Sequence, residues 1–251
     1  MGRHLQLFLL LALLMSRCNH SNTGSGPNEP SYCEPEYFAS LELNSKDYRE
    51  QQTKIVRFHA FKVGKVTLAG AAIGASDTDE LANLASAFDA EGSVGFCTWY
   101  VNTPKDGKYA NGFIAEARFN YDPVKPNPKN LTAGEAVEEF DKVLGDQFIK
   151  TKPSFFSCLE DHHFLNIGCN AMKHRGPTAF AMLLAFSGCS AQNAAEIANK
   201  TWGLNGVKEA VRMAVAQRGY ELGEDTPEER LAMQKLFTIQ SQESQSQLRS
   251  Q

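Results

Sequence analysis

TAFAMLLAF, residues 178–186, decides the fold: of its nine residues only Thr178 is polar. A helix that is apolar on every side has to be buried on every side, which makes this stretch the centre of a core. Pro177 stands just before it, where a fixed φ and a missing N–H suit a first helical turn. Downstream, more helices follow. Ser190 caps one with Ala194, Ile197, Ala198 and Trp202 inward, closed by Gly203. Asn205 is read as the cap of the next, with Val207, Ala210, Val211, Ala214 and Val215 inward and Gly219 as its end. Thr226-Pro227-Glu228-Glu229 opens a final short helix.

Upstream of the apolar helix the periodicity changes. Thr132 and Glu135 form a capping box before the stripe Val137, Phe140, Leu144 and Phe148. Before that the pattern is of strands. Lys54–Val63, Val66–Ile73, Val94–Val101 and the face Phe113, Ala115, Ala117, Phe119, Tyr121 are rich in β-branched and aromatic residues with partial alternation. Asp106-Gly107 between the last two reads as a hairpin turn. One short helix, capped by Asp77 and Glu80 and carrying Leu81, Leu84, Ala85 and Phe88, interrupts them. Strands with one helix, followed by a run of helices, define an α+β fold: N-terminal antiparallel strands, then a mainly helical, disulfide-stapled C-terminal half.

The ends of the chain set the organisation. Arg3 and His4 precede an apolar run from Leu5 to Met15. That run is shorter than the about 20 residues a membrane span needs, and it fits a secretory signal. Residues 1–18 are therefore read as a signal sequence, with Cys18 either the last residue before cleavage or a lipidation site. Ser16 and Leu14 suit a lipobox, whereas Arg17 stands where that motif takes a small residue. Residues 19–34 read as a flexible linker and 35–223 as one α+β domain, with a subdivision near the Pro-rich run at 122–131. Residues 224–251 read as a short helix and a Gln/Ser-rich disordered tail.

The net charge of −4, made more acidic by removal of Arg3 and Arg17, argues against a nucleic-acid partner. A superficial helix-turn-helix over Ala194–Arg218 is better read as helical-hairpin packing for the same reason. A membrane enters only through an anchor at Cys18; the expected partner is an unidentified extracytoplasmic ligand or protein. Six cysteines occur, at 18, 33, 97, 158, 169 and 189. In an exported chain they mostly pair, and the crowding of Cys158, Cys169 and Cys189 predicts a bridge among those three.

The densest polar cluster is Glu160, Asp161, His162 and His163 beside Cys158, followed by Cys169 and His174. Histidine exchanges protons near neutral pH and a neighbouring carboxylate tunes it, so His162, His163, His174, Glu160 and Asp161 are the candidate catalytic set. A Cys158–Cys169 bridge would bring His174 to the other two. Cys158 and His162 share a helix face, yet the spacing matches no tight metal motif, so no metal and no cofactor is assigned. Arg175, beside the amides that open the apolar helix, is the candidate ligand-binding residue for a carboxylate or phosphate.

Other motifs dissolve on inspection. Ala87–Tyr100 resembles a calcium loop until Val94 falls where glycine is required and Tyr100 where the bidentate acid is required. Cys97, in an alternating strand, reads as core or half a disulfide rather than a nucleophile. Glu91, Glu116, Glu138, Glu139 and Asp141 offer carboxylates, but no pair of them is singled out for glycoside hydrolysis. Asn19, Asn130 and Asn199 head glycosylation triplets. The sequence therefore supports an exported ligand- or partner-binding protein, with an exported hydrolase of cell-wall or extracellular polymer as the alternative.

Overall fold

A computed structural model of the chain describes residues 29–43, 57–72, 96–101, 113–116, 127–142, 149–169 and 171–238. The readings of a signal sequence with Cys18, a helix over Leu81–Phe88, a turn at Asp106-Gly107 and a C-terminal tail fall outside the described residues. A 3-10 turn at Ser31–Cys33 leads into α1 (Pro35–Ser40). Then come β1 (His59–Val63), β2 (Val66–Ala71), β3 (Cys97–Tyr100) and β4 (Phe113–Glu116). After a second 3-10 turn at Pro128–Asn130 follow α2 (Ala133–Asp141), α3 (Ile149–His162) and β5 (Phe164–Gly168). Helices α4 (Arg175–Phe186), α5 (Ala191–Trp202), α6 (Glu209–Asp225) and α7 (Pro227–Phe237) complete the order. The fold is α+β.

The sheet is mixed, with strand order β1-β2-β5-β3-β4. β1 and β2 form the expected antiparallel hairpin, turning at Gly64 (φ 60°) and Lys65. Glycine is required there twice over: the backbone is left-handed, and a Cβ would lie 2.5 Å from the Phe237 carbonyl carbon. The C-terminal end of α7 thus seats on the hairpin, and Lys65 N donates to Leu236 O at 2.9 Å.

β3 and β4 do not form a hairpin. They pair in parallel, Cys97 opposite Phe113, whereas a tight turn joins antiparallel strands. The central strand is β5, from the half read as helical, parallel to both β2 and β3. All five of its residues are buried. A strand covered on both faces has no need to alternate, so FLNIG carries no period-two signature. Its one polar side chain is held by Thr98: Asn166 Nδ2 donates to Thr98 Oγ1, which donates to Asn166 O, both at 3.1 Å.

α4 is the buried helix its composition demands, with every residue from Gly176 to Phe186 buried. It packs on β2 and β5 and against α5 and α6. The α4–α6 approach depends on Gly219, where a Cβ would meet Met182 O at 2.3 Å. This corrects the reading of Gly219 as a terminator: α6 runs through it to Asp225, and glycine serves close packing instead. Asn205 is likewise not a cap, since α6 starts at Glu209 after Lys208. The capping box at Thr132/Glu135 and the Ser190 cap are present, and Gly203 closes α5 at φ 73°. Phe38 and Phe61 (ring centroids 4.6 Å apart) and Phe180 and Trp202 (4.7 Å) join α1, β1, α4 and α5. Each such aromatic burial contributes about 1.5–3 kcal/mol.

The disulfides are Cys33–Cys189 and Cys97–Cys158, and Cys169 is a buried free thiol. No bridge joins two of Cys158, Cys169 and Cys189, contrary to their crowding in sequence. The reason is β5. It separates Cys158, one turn from its N-terminal end, from Cys169 at its C-terminal end. Cys97 pairs in register with Leu165 near that first end, which puts it within reach of Cys158. Both bridges tie the helical half to the N-terminal half.

Candidate functional site

The α5–α6 connection, Gly203–Lys208, gathers charge from across the chain. Its turn has three left-handed residues, Gly203 (φ 73°), Asn205 (φ 52°) and Gly206 (φ 87°). Asparagine tolerates this region because its short amide bonds locally. Here Asn205 Nδ2 donates to Trp202 O at 2.6 Å and to Gly203 O at 3.1 Å. Those bonds aim Asn205 Oδ1 outward, where it accepts from Arg57 Nη1 at 3.0 Å. Trp202 Nε1 in turn donates to Arg57 O at 3.0 Å, fixing the arginine backbone as well.

On the same turn, Asn205 O accepts from His174 Nε2 at 3.1 Å. A carbonyl can only accept, so the ring donates from Nε2 and leaves Nδ1 as an acceptor. The Lys129 side chain lies against Gly206, its Cε 3.0 Å from where a Cβ would sit. Arg57, Lys129 and His174 therefore converge on Asn205-Gly206, with Lys173 and Arg175 flanking His174 in sequence. Burial holds the His174 pKa below the ordinary histidine value of 6.5. The hydrogen bond to Asn205 opposes this, and the Lys129, Arg175 and Lys173 charges add to it. The imidazole is neutral near pH 7, in cationic surroundings.

Beneath the turn lies Arg212 of α6, fully buried. Its Nη1 donates to Asn199 Oδ1 and, at 3.3 Å, to Gly203 O. Its Nε and Nη2 are buried without a hydrogen-bond partner among the described residues. Nearby, His59 Nδ1 lies 2.8 Å from Glu42 Oε1, and the His59 ring meets Trp202 edge-on at 5.6 Å.

The candidate catalytic set is divided. Glu160, Asp161 and His162 end α3, the two acids exposed and His162 half-buried. His163 follows at φ 50°, its carbonyl accepting from Thr67 N at 2.8 Å. His174 and Arg175 lie past the far end of β5. At about 3.3 Å per residue, the five residues of β5 put about 16 Å between the two groups. The Cys158–Cys169 bridge that was to join them is replaced by Cys97–Cys158. Cys169 instead faces the start of α4, its Sγ 3.1 Å from where a Cβ on Gly176 would sit.

The sequence reading placed Arg175 and His174 in a site but missed Arg57, Lys129, Asn205 and Arg212. The Asn205-Gly206 pair, a common left-handed signal, was the available clue. The cations come from separate elements, and no local pattern links them. No protein-family model matches the chain, and neither a curated protein nor a solved structure resembles it. Among the described residues no helix is long and apolar enough to cross a membrane. The two disulfides are compatible with a place outside the cytoplasm.

Proposed function

We propose that this chain is an exported, disulfide-stapled protein that binds an anionic ligand at the Asn205-Gly206 turn. One observation carries the reading: the cations Arg57 and Lys129 meet at this turn beside the neutral His174, although the chain as a whole is acidic. Such local potential attracts an anion and raises its encounter rate. Arg175 and Lys173 extend it. The alternative, an exported hydrolase of extracellular polymer, has an assembled histidine–carboxylate pair in His59 and Glu42. His162 and His163 precede β5, whereas His174 follows it.

Calorimetric titration of the full oxidised chain with inorganic phosphate tests the binding reading. A saturable site is expected, at least tenfold weaker in the Arg57→Gln/Lys129→Gln double variant. Equal binding by the double variant, or none by the native protein, sinks it. Export is tested by the intact mass of the natural protein. A chain starting at Cys18 or Asn19 supports it, with a diacylglycerol and acyl increment on Cys18 deciding for an anchor. A mass beginning at Met1 removes export.

A further inference from the structure

We infer that Arg212 is the buried recognition element of this anion site, its Nε/Nη2 edge a fork that receives one oxyanion group, phosphate or carboxylate. This rests on the anion-binding reading and goes beyond it by naming the group that reads the ligand. Arg212 is 0 % exposed, and only Nη1 is occupied, by Asn199 Oδ1 and Gly203 O. Nε–H and one Nη2–H point the same way and form the parallel pair that fits two oxygens of a carboxylate or phosphate. Both are shielded from solvent and have no hydrogen-bond partner among the described residues.

A cation taken out of water requires an opposite charge or a full set of acceptors. Among the described residues Arg212 has neither: burial accounts for its pKa, lowered to about 10, with no described carboxylate contributing. The carbonyl end of α5, at Gly203, supplies only part of a negative charge. An oxyanion on the fork completes the set. The same Gly203 carbonyl accepts from Asn205 Nδ2, so hydrogen bonds run from Arg212 through Gly203 and Asn205 to Arg57. The cluster at the turn thus shares its scaffold with the buried fork. Shielding limits the occupant to a single small group.

The test uses the full oxidised chain, inorganic phosphate as the probe, and the variants Arg212→Met and Arg212→Lys. Methionine matches the aliphatic stem without the charge; lysine keeps the charge without the fork. Native protein is expected to melt higher as phosphate is added. Arg212→Met is expected to melt no lower than native in phosphate-free buffer and to lose the phosphate response. Arg212→Lys is expected to bind at least tenfold more weakly. In native protein the Arg212 Nε–H resonance is expected to move to saturation with phosphate, a readout that holds even if a variant fails to fold. An unmoved Nε–H resonance, or Arg212→Met retaining the native phosphate response, overturns the inference while leaving binding at the turn intact. A native protein indifferent to phosphate by every readout overturns both.

Discussion

Replacing Cys97 and Cys158 together by alanine removes a bridge that spans 61 residues. In the chain-entropy account, opening a loop of that size frees the unfolded state by about 4 kcal/mol at 25 °C. Alanine at both positions avoids leaving buried hydroxyls in the place of sulfur, so chain entropy dominates the difference. A domain is held by only about 5–15 kcal/mol, so this loss is roughly a quarter or more of the total. The Cys33–Cys189 bridge, spanning 156 residues, corresponds to about 5 kcal/mol on the same basis. The two do not add, because the shorter loop lies inside the longer. Cys169→Ala closes no loop and is expected to cost far less. Urea unfolding of the oxidised proteins measures the differences, and a non-reducing peptide map fixes the pairing. A map joining Cys158 to Cys169, or a double variant within about 1 kcal/mol of native, refutes the reasoning.

Gly219→Ala brings about 1 kcal/mol of helix propensity but places a Cβ 2.3 Å from a backbone oxygen that cannot rotate away. Overpacking of about 1–3 kcal/mol wins, so a lower melting point is expected, and an unchanged or raised one contradicts the α4–α6 contact. Tyr32 is buried with its hydroxyl donating to Ser187 O at 2.9 Å, and burial pushes its pKa up to about 12. The neutral phenol is the favoured form, so its contribution to stability is complete below pH 10 and is lost as pH rises from 10 towards 12. In a near-ultraviolet titration one of the seven tyrosines should ionise last, and Tyr32→Phe should remove that step; seven superimposed titrations contradict it. His174 prefers its neutral form, so its contribution is present above pH 6.5 and is lost as pH falls through its lowered pKa. Its ring-proton titration should centre below 6.5 and move up with bound phosphate; a midpoint at or above 6.5 without phosphate contradicts the cationic surroundings.

Much of the helical architecture was legible because its signals are local. The all-apolar run at 178–186, the Thr132/Glu135 box, the Ser190 cap and Gly203 each act within a few residues. What escaped depends on partners far along the chain. β5 is a strand only because β2 and β3 flank it, and Gly219 is small only because α4 lies against it. Cysteine spacing misled because sequence proximity is no measure of distance once a strand intervenes. The site was half visible: His174 and Arg175 stood out beside the apolar helix, whereas Arg57, Lys129 and Arg212 look like ordinary charges until the Asn205 turn collects them.

The central claim, that an anion binds where Arg57, Lys129 and His174 meet above Arg212, is tested most directly by crystals of the oxidised protein soaked in selenate. The selenium anomalous signal identifies the anion by element rather than by the shape of its density. A peak bounded by the Asn205-Gly206 turn and the Arg212 fork is expected. Well-diffracting soaked crystals with no peak there, or with peaks only at unrelated surface lysines, would contradict it.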